Sequence, residues 1–154
     1  MRAGDELPPL EIPITRTLIV SGALASRDFQ DVHHDPEAAR RKGSPDVFMN
    51  ILTTNGLVGR YVTDCLGERA ELRRVAVRLG VPNYPGDTMV LRGTVVSVTG
   101  GPPEPQGPDP VVPAGRTAEV RIVGTNALGH HVTGTVTVAF APPPLPPRRR
   151  EGVR

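Results

Sequence analysis

A long helix, predicted over residues 50–66, constrains the fold more than any other segment of this chain. Apolar residues recur there at three- and four-residue spacing, which is the period of a helix with one buried face. Gly56 and Gly59 lie inside it, and an interior glycine costs about 1 kcal/mol relative to alanine. We therefore expect close approach by another backbone at both glycines. Gly67 is expected to end the helix. The predicted buried side comprises Ile51, Thr54, Val58, Val62 and Cys65, with Leu57, Tyr61 and Leu66 beside it.

Four segments after this helix show the apolar alternation of half-buried strands. They are predicted at residues 72–81, 88–98, 116–126 and 131–141, and in the last of them the pattern places His131 on the outer face. Such an antiparallel meander must cover its apolar face, and the long helix is available to cover it. We therefore predict an α+β protein with a single hot-dog fold, a long central helix wrapped by a curved antiparallel β-sheet.

One domain is expected, because the chain has 154 residues. Residues 1–141 form the predicted domain, and residues 1–13 are expected to be a proline-rich lead-in that lies extended over its surface. Residues 100–115 are interpreted as a proline-rich insertion loop and residues 142–154 as a disordered Pro/Arg-rich tail. Aromatic residues make up 3 % of the chain and there is no Trp, so the core is expected to be aliphatic.

The net positive charge belongs to the tail and does not indicate a nucleic-acid site. The chain has a formal net charge of +2, and the tail carries four Arg and one Glu. The remainder is therefore near neutral and has few aromatic side chains for stacking on bases. The chain contains one cysteine, no apolar run of about 20 residues and no signal-peptide pattern. We expect a soluble cytoplasmic protein without internal disulfides.

Titratable groups are concentrated in the loop of residues 26–36, which contains three Asp and two His. A short helix capped by Thr15 or Thr17 is predicted before it, with a strand as the alternative. A second helix, over residues 37–42, is expected to follow Asp35-Pro36. From the residues alone, two interpretations of the loop stay open. Asp28 and His33 could form an acid/base couple, or the loop could be a solvated turn that caps the next helix.

This loop resembles the signature of the MaoC-like, or R-specific enoyl-CoA hydratase, family, which reads Ser-Gly-Asp-x-Asn-Pro-Leu-His-x-Asp-Pro. Residues 26–36 read Ser-Arg-Asp-Phe-Gln-Asp-Val-His-His-Asp-Pro. Residues 84–88, Tyr-Pro-Gly-Asp-Thr, resemble the family's Pro-Gly-Asp-Thr turn before a long strand. The resemblance covers residues 5–99 and 116–141. It implies a hot-dog fold, Asp28 and His33 as the catalytic pair, and no cofactor, since CoA is part of the substrate.

Four segments, residues 25–35, 50–53, 60–64 and 78–82, resemble more narrowly the small MaoC-like subunits of bacterial steroid side-chain enoyl-CoA hydratases. The resemblance implies a steroid CoA thioester substrate in cholesterol degradation. It also implies a larger partner subunit with its own MaoC-like domain, a heterodimer or heterotetramer, and a thiolase-like aldolase recruited through that partner. Three alternatives stay open: a generic hydratase or dehydratase of fatty acyl-CoA, a non-catalytic acyl-CoA-binding subunit, and a hot-dog thioesterase.

Two departures from the family pattern affect the predicted site. The family's Gly-Asp is Arg27-Asp28 here, and its His-Gly at the head of the long helix is Asn50-Ile51. A backbone donor is present with any side chain, so Asn50 and Ile51 are the predicted substrate-binding residues, with the Ile51 N–H holding the thioester oxygen. Hydration also needs an acid and a base, and we expect burial to raise the pKa of Asp28 toward that of an imidazole.

The remaining polar residues receive structural interpretations. His34 has no set of further ligands with His33 that would indicate a metal site, so no metal is predicted. Residues 40–42 are expected to be a solvated basic face. Arg78 is expected to be an exposed strand residue, with contact to a CoA phosphate as the alternative. His130 and His131 are expected on an exposed face.

Overall fold

The computed structural model describes residues 1–100 and 115–140. The predicted tail and nearly all of the predicted insertion lie outside these residues. No helix within the described ranges has the length and hydrophobicity to cross a bilayer. The elements in chain order are β1 (Glu6–Pro13), α1 (Arg16–Ala25), a 3₁₀ turn (Asp31–His33), α2 (Pro36–Arg41), α3 (Ile51–Leu66), β2 (Ala70–Leu79), β3 (Thr88–Thr99), β4 (Thr117–Asn126) and β5 (Gly129–Phe140).

Helix α3 begins and ends where the sequence predicts. Asn50 caps its N-terminus, because the Asn50 Oδ1 accepts a hydrogen bond from the Thr53 N–H at 2.9 Å. Gly67, with a φ of 83°, follows its last residue. Ile51 does not belong to the buried side, since 46 % of its surface is exposed. The buried face is formed by Thr54, Val58, Gly59, Tyr61 and Val62.

The glycines of α3 do not meet another backbone, so that prediction is wrong. A Cβ at Gly59 would lie 3.1 Å from the Cδ1 of Leu72, which is a side-chain atom of β2. A Cβ at Gly56 would meet nothing within 4 Å. Backbone approach is close within the sheet instead, where a Cβ at Gly134 would clash with the Ala76 carbonyl oxygen. The helix packs on the sheet through a layer of side chains, which keeps the two backbones apart.

The five strands form one antiparallel sheet in the order β1-β3-β4-β5-β2. Strands β3, β4 and β5 are the predicted meander, but β2 pairs with β5 and not with β3. Residues 80–87 therefore carry the chain past β5 and β4 before β3 begins. This crossover is anchored near α3, because the Met49 N–H donates to the Asn83 carbonyl at 3.1 Å. The α+β hot-dog arrangement is confirmed, with α3 packed against the concave face.

Strand β1 was not predicted, because the high proline content of residues 1–13 masks the sequence pattern of a strand. It pairs with β3 at the sheet edge, with an irregularity in register between Leu7 and Leu10. Pro8 and Pro9 occupy this irregularity, and proline is tolerated at edge strands and bulges because no ladder N–H is needed there. The Tyr61 hydroxyl of α3 donates to the Pro8 carbonyl at 3.0 Å. This bond gives the carbonyl a hydrogen-bond partner at the irregularity in register. The lead-in is thus part of the sheet.

His131 is buried, with 1 % of its surface exposed, which contradicts the predicted outward position. Val132 pairs with Gly124 and His130 pairs with Thr125, so His131 has no partner residue in β4. One extra residue in a strand breaks the alternation and re-aims the neighbouring side chains. Both His131 and Val132 consequently face the interior.

Candidate active site

The C-terminus of α1 turns the chain so that Asp28 faces α3. The Asp28 N–H donates to the Ala23 carbonyl at 2.9 Å and the Arg27 N–H donates to the Leu24 carbonyl at 3.0 Å. This pair of bonds is a Schellman turn, which needs a left-handed residue after the helix. Arg27 provides it with a φ of 58°, at the position where the family signature has Gly. Such a conformation costs a non-glycine residue about 1–2 kcal/mol.

Asp28 and His33 lie side by side, as the sequence predicts. The Asp28 Oδ2 is 3.3 Å from the His33 Nε2, and 18 % of the Asp28 side chain is exposed. The His33 Nδ1 lies 2.7 Å from the Phe48 carbonyl oxygen. A carbonyl only accepts, so Nδ1 carries the proton in this tautomer. A neutral His33 therefore presents its Nε2 lone pair on the side of Asp28.

Asn50 connects this pair to α3. Its Nδ2 donates to the Asp28 Oδ2 at 3.1 Å and to the Ser26 Oγ at 2.9 Å, while its Oδ1 caps the helix. The Asn50 hydrogen bond is the main cause that lowers the pKa of Asp28, against the opposing effect of burial; the Gln30 N–H lowers it further, as does the charge of His33 when that imidazole is protonated. The expected rise in this pKa is therefore wrong. The hydrogen-bond donors lower the pKa of Asp28 more than burial raises it, because the carboxylate keeps partial contact with solvent.

A cavity of about 260 Å³ separates the Asp28–His33 pair from the wall formed by residues 79–82. Ile51 borders it as the first residue of α3, and its N–H has no acceptor among residues 1–100 and 115–140. Free N–H groups and the dipole at a helix N-terminus favour negative charge. The cavity thus has an acid/base pair on one side and a backbone donor on another. Its remaining lining residues are Gln30, Phe48, Met49, Asn50 and His131.

Residues 3–106 match the family model described as the MaoC like domain. The chain belongs to the MaoC-like family. It is 46 % identical over 137 residues, or 89 % of its length, to the 3-oxo-4,17-pregnadiene-20-carboxyl-CoA hydratase beta subunit of Mycobacterium tuberculosis, strain H37Rv. The aligned region covers 95 % of that relative.

Solved structures share the hot-dog fold of this MaoC-like chain. One chain in the crystal structure of the ChsH1-ChsH2 complex from Mycobacterium tuberculosis superposes with a TM-score of 0.76 at 45 % identity. The match covers 90 % of this chain and 97 % of that chain. An (R)-hydratase from A. caviae involved in PHA biosynthesis gives a TM-score of 0.70 at 17 % identity, covering 91 % and 97 %. At that identity the second likeness concerns the fold alone.

Sequence reasoning missed His131 as a residue of the MaoC-like cavity. Its Nδ1 lies 2.7 Å from the Val81 carbonyl oxygen and its Nε2 lies 2.9 Å from the Thr54 Oγ1. Burial lowers the pKa of the His131 imidazole below its ordinary value. The apolar alternation of β5 gave the opposite orientation. The consecutive residues His130 and His131 at the start of that strand were the available sequence signal, and two adjacent histidines do not predict a β-bulge.

The other titratable residues of the loop have structural contacts. Asp35 caps α2 as predicted, since its Oδ1 accepts from the Glu37 and Ala38 N–H groups at 2.9 and 3.0 Å. Asp31 forms an ion pair with Lys42, and the His34 Nε2 lies 3.3 Å from the Phe29 carbonyl oxygen. No group of three or more His, Cys, Asp or Glu side chains in the described ranges is arranged to hold a metal ion.

Proposed function

We propose that this chain is the subunit of an enoyl-CoA hydratase that carries the catalytic pair and adds water to a steroid side-chain CoA thioester. The observation that carries this proposal is the 3.3 Å contact between Asp28 and His33 at a cavity that the Ile51 N–H also borders. The identity of 46 % to a relative named as a pregnadiene carboxyl-CoA hydratase beta subunit supports the substrate class.

The chemistry required follows from the name of that relative's substrate. A 17-ene with its carboxyl-CoA group on C20 is an α,β-unsaturated thioester. Hydration forms a bond between the water oxygen and the β-carbon and places one proton on the α-carbon. Negative charge accumulates on the thioester oxygen between these events. The site must therefore remove a proton from water, return one to carbon and stabilise an oxyanion.

The residues of this chain suit these three tasks. His33 Nε2 accepts the water proton, because the Nδ1 proton is committed to the Phe48 carbonyl. Asp28, whose low pKa keeps it ionised, orients the water and stabilises the imidazolium that forms. The same Nε2–H then passes its proton to the α-carbon, so that the pair returns to its starting state. The Ile51 N–H holds the thioester oxygen. No separate cofactor takes part, since CoA belongs to the substrate.

A partner subunit is part of the proposal. A cavity of about 260 Å³ is small beside the roughly 300–1,000 Å³ of pockets that enclose drug-sized ligands. Large apolar side chains are exposed at Ile51, which lines it, and at Phe29 and Leu52, which adjoin lining residues in the chain. We propose that a larger subunit with its own MaoC-like domain completes the pocket in a heterodimer or heterotetramer. A thiolase-like aldolase would bind through that subunit. The crystallised ChsH1-ChsH2 complex of a similar chain supports the hetero-oligomer.

The test is hydration of a steroid 17-ene carboxyl-CoA by this chain co-expressed with the larger subunit. We expect Asp28→Asn and His33→Ala each to lower kcat by roughly 10²–10⁴-fold without changing the thermal unfolding midpoint much. His33→Ala removes the group that transfers the proton, and Asp28→Asn removes the charge that orients the water and stabilises the imidazolium. His34→Ala, at the exposed neighbour, is the matched control. Near-wild-type turnover in both site variants would refute the pair assignment.

The same preparation separates the other function classes. Release of free CoA thiol without hydration would identify a thioesterase. Tight substrate binding without turnover would identify a binding subunit. Efficient turnover of short linear enoyl-CoA by this chain alone would favour a generic hydratase.

A further inference from the structure

We propose that His131 is a positioning residue for the hydration reaction, joining the cavity wall at Val81 to the first turn of α3. The inference rests on the proposed function. In this role His131 touches neither water nor thioester. It fixes the position of the helix end that presents the Ile51 N–H, and through Asn50 the position of Asp28.

Both ring nitrogens of His131 are engaged in a buried site. The Nδ1–H donates to the Val81 carbonyl, because a carbonyl can only accept. The Nε2 of this neutral tautomer must then accept, so the Thr54 hydroxyl donates to it at 2.9 Å. Each bond is directional and lies in a region of low polarity, where an unpaired polar group is costly. The imidazole therefore sets the separation between residue 81 and α3.

The hydrogen bonds continue from His131 to the catalytic pair. The Thr54 N–H donates to the Asn50 carbonyl at 3.3 Å and closes the first turn of the helix. The Asn50 side chain then donates to the Asp28 Oδ2. A displacement of Thr54 would thus move both the helix end and the carboxylate. No other histidine in residues 1–100 and 115–140 joins β5 to α3 in this way.

A packing role alone does not explain these contacts. The core of the described residues is mostly aliphatic, and an apolar side chain could fill the same volume without requiring two polar partners. Both His131 and Val81 line the catalytic cavity, and Thr54 lies four positions after the helix cap. The polar contacts of this buried histidine therefore converge on the part of the molecule that binds the thioester.

The experiment compares Thr54→Val, Thr54→Ser, His131→Asn and the double variant Thr54→Val/His131→Asn in the assembled complex. Thr54→Val keeps the shape of residue 54 and removes its hydroxyl. We expect it to lower kcat by about 10–100-fold with a smaller change in KM, since small displacements of reacting groups cost that much. Thr54→Ser keeps the hydroxyl and should lose much less. His130→Asn, at the exposed neighbour, is the control.

The double variant tests whether the two residues act together. Because Thr54→Val and His131→Asn remove the same hydrogen bond, their combined loss in kcat should be close to that of the more severe single variant. Equal kcat in Thr54→Val and Thr54→Ser would overturn the proposal, and so would losses that multiply. Circular dichroism and thermal unfolding of each complex identify variants that have lost the fold. Thr54→Val, the isosteric change, decides the case if His131→Asn does not fold.

A second measurement is independent of turnover. The ring ¹⁵N signals of His33 should shift in Thr54→Val, and should shift less in Thr54→Ser or His130→Asn, because the Asn50–Asp28 contact moves with the helix turn. Unchanged His33 signals in Thr54→Val would overturn the positioning role. If the wild-type complex hydrates no steroid enoyl-CoA, the proposed function fails while these signals still report whether the coupling exists.

Discussion

Asp28 and His33 are five residues apart in the sequence, and two tight turns bring their side chains together. The Schellman turn at Arg27 directs Asp28 inward, and the 3₁₀ turn over Asp31–His33 brings His33 back to it. Asn50 then supplies the donor that keeps Asp28 ionised. At the scale of single residues, the site depends on the strained backbone conformation of Arg27 and on the buried side-chain amide of Asn50.

Replacement of Arg27 by glycine should stabilise the fold. Glycine adopts a φ near 58° without the Cβ penalty, and its greater freedom in the unfolded chain offsets part of the gain. We expect Arg27→Gly to raise the free energy of unfolding by about 0.5–1 kcal/mol in urea titrations. Arg27→Ala retains the Cβ and is the control that should show no such gain. Equal stability of the two variants would contradict the strain assigned here.

Asp28 should also make stability depend on pH. Its folded pKa lies below its ordinary value of 3.8, so its contribution is fully present above that value. The contribution is lost as the pH falls through the folded pKa. The free energy of unfolding of Asp28→Asn, measured in urea between about pH 5 and about pH 3, should therefore fall less steeply than that of the wild type. Parallel slopes would show that the carboxylate is not specifically stabilised.

At the scale of elements, the N-terminus of α3 combines structural and chemical roles. Asn50 caps the helix with its Oδ1 and holds Asp28 with its Nδ2, while the N–H of Ile51 remains available. Strand β5 reaches the same turn through His131. The loop after α1, the helix and the sheet meet at this single turn, which explains why the cavity forms there.

Variants of Asn50 should separate its two roles. Asn50→Ala removes the cap and the Asp28 donor, so we expect a loss of about 1 kcal/mol in unfolding free energy, a higher Asp28 pKa and reduced turnover. Asn50→Ser can still cap the helix but is too short to hold Asp28 as well. Its stability should therefore recover while its turnover stays low. Recovery of both properties in Asn50→Ser would show that the Asp28 contact is dispensable.

At the scale of the whole molecule, apolar surface is exposed beside the cavity mouth. The side chain of Leu52 is exposed in the first turn of α3, next to Ile51. Leu128, at the turn between β4 and β5, is exposed as well and lies outside the residues that line the cavity. Variants of these two leucines can therefore compare the surface proposed for assembly with an exposed apolar residue at a turn.

A charge at Leu52 should interfere with assembly. We expect Leu52→Glu to reduce recovery of the larger subunit by about tenfold or more in co-purification, because burying an unpaired carboxylate is costly. Leu128→Glu should leave recovery unchanged. Light scattering after size exclusion would give the stoichiometry, and thermal unfolding would verify that both variants are folded. Equal recovery with both variants would place the partner on another surface.

Local patterns in the sequence were sufficient for several features. The bounds of α3 follow from its apolar period, its Asn50 cap and Gly67, which act within a few residues of each other. The Asp35 cap of α2 is local for the same reason. The Asp28–His33 pair was predictable because both residues lie in one loop and match a family signature. Strand β1 escaped prediction, since Pro8 and Pro9 are compatible with a strand only at an edge.

The sequence by itself determined the helix, most of the strands and the adjacent Asp28–His33 pair, because those signals are carried by neighbouring residues. Only the tertiary structure decided the strand order, the inward position of His131 and the low pKa of Asp28. Each of these depends on partners far along the chain: β5 for β2, Thr54 for His131 and Asn50 for Asp28. Contacts across such separations form when the sheet closes on α3, and no local pattern encodes them.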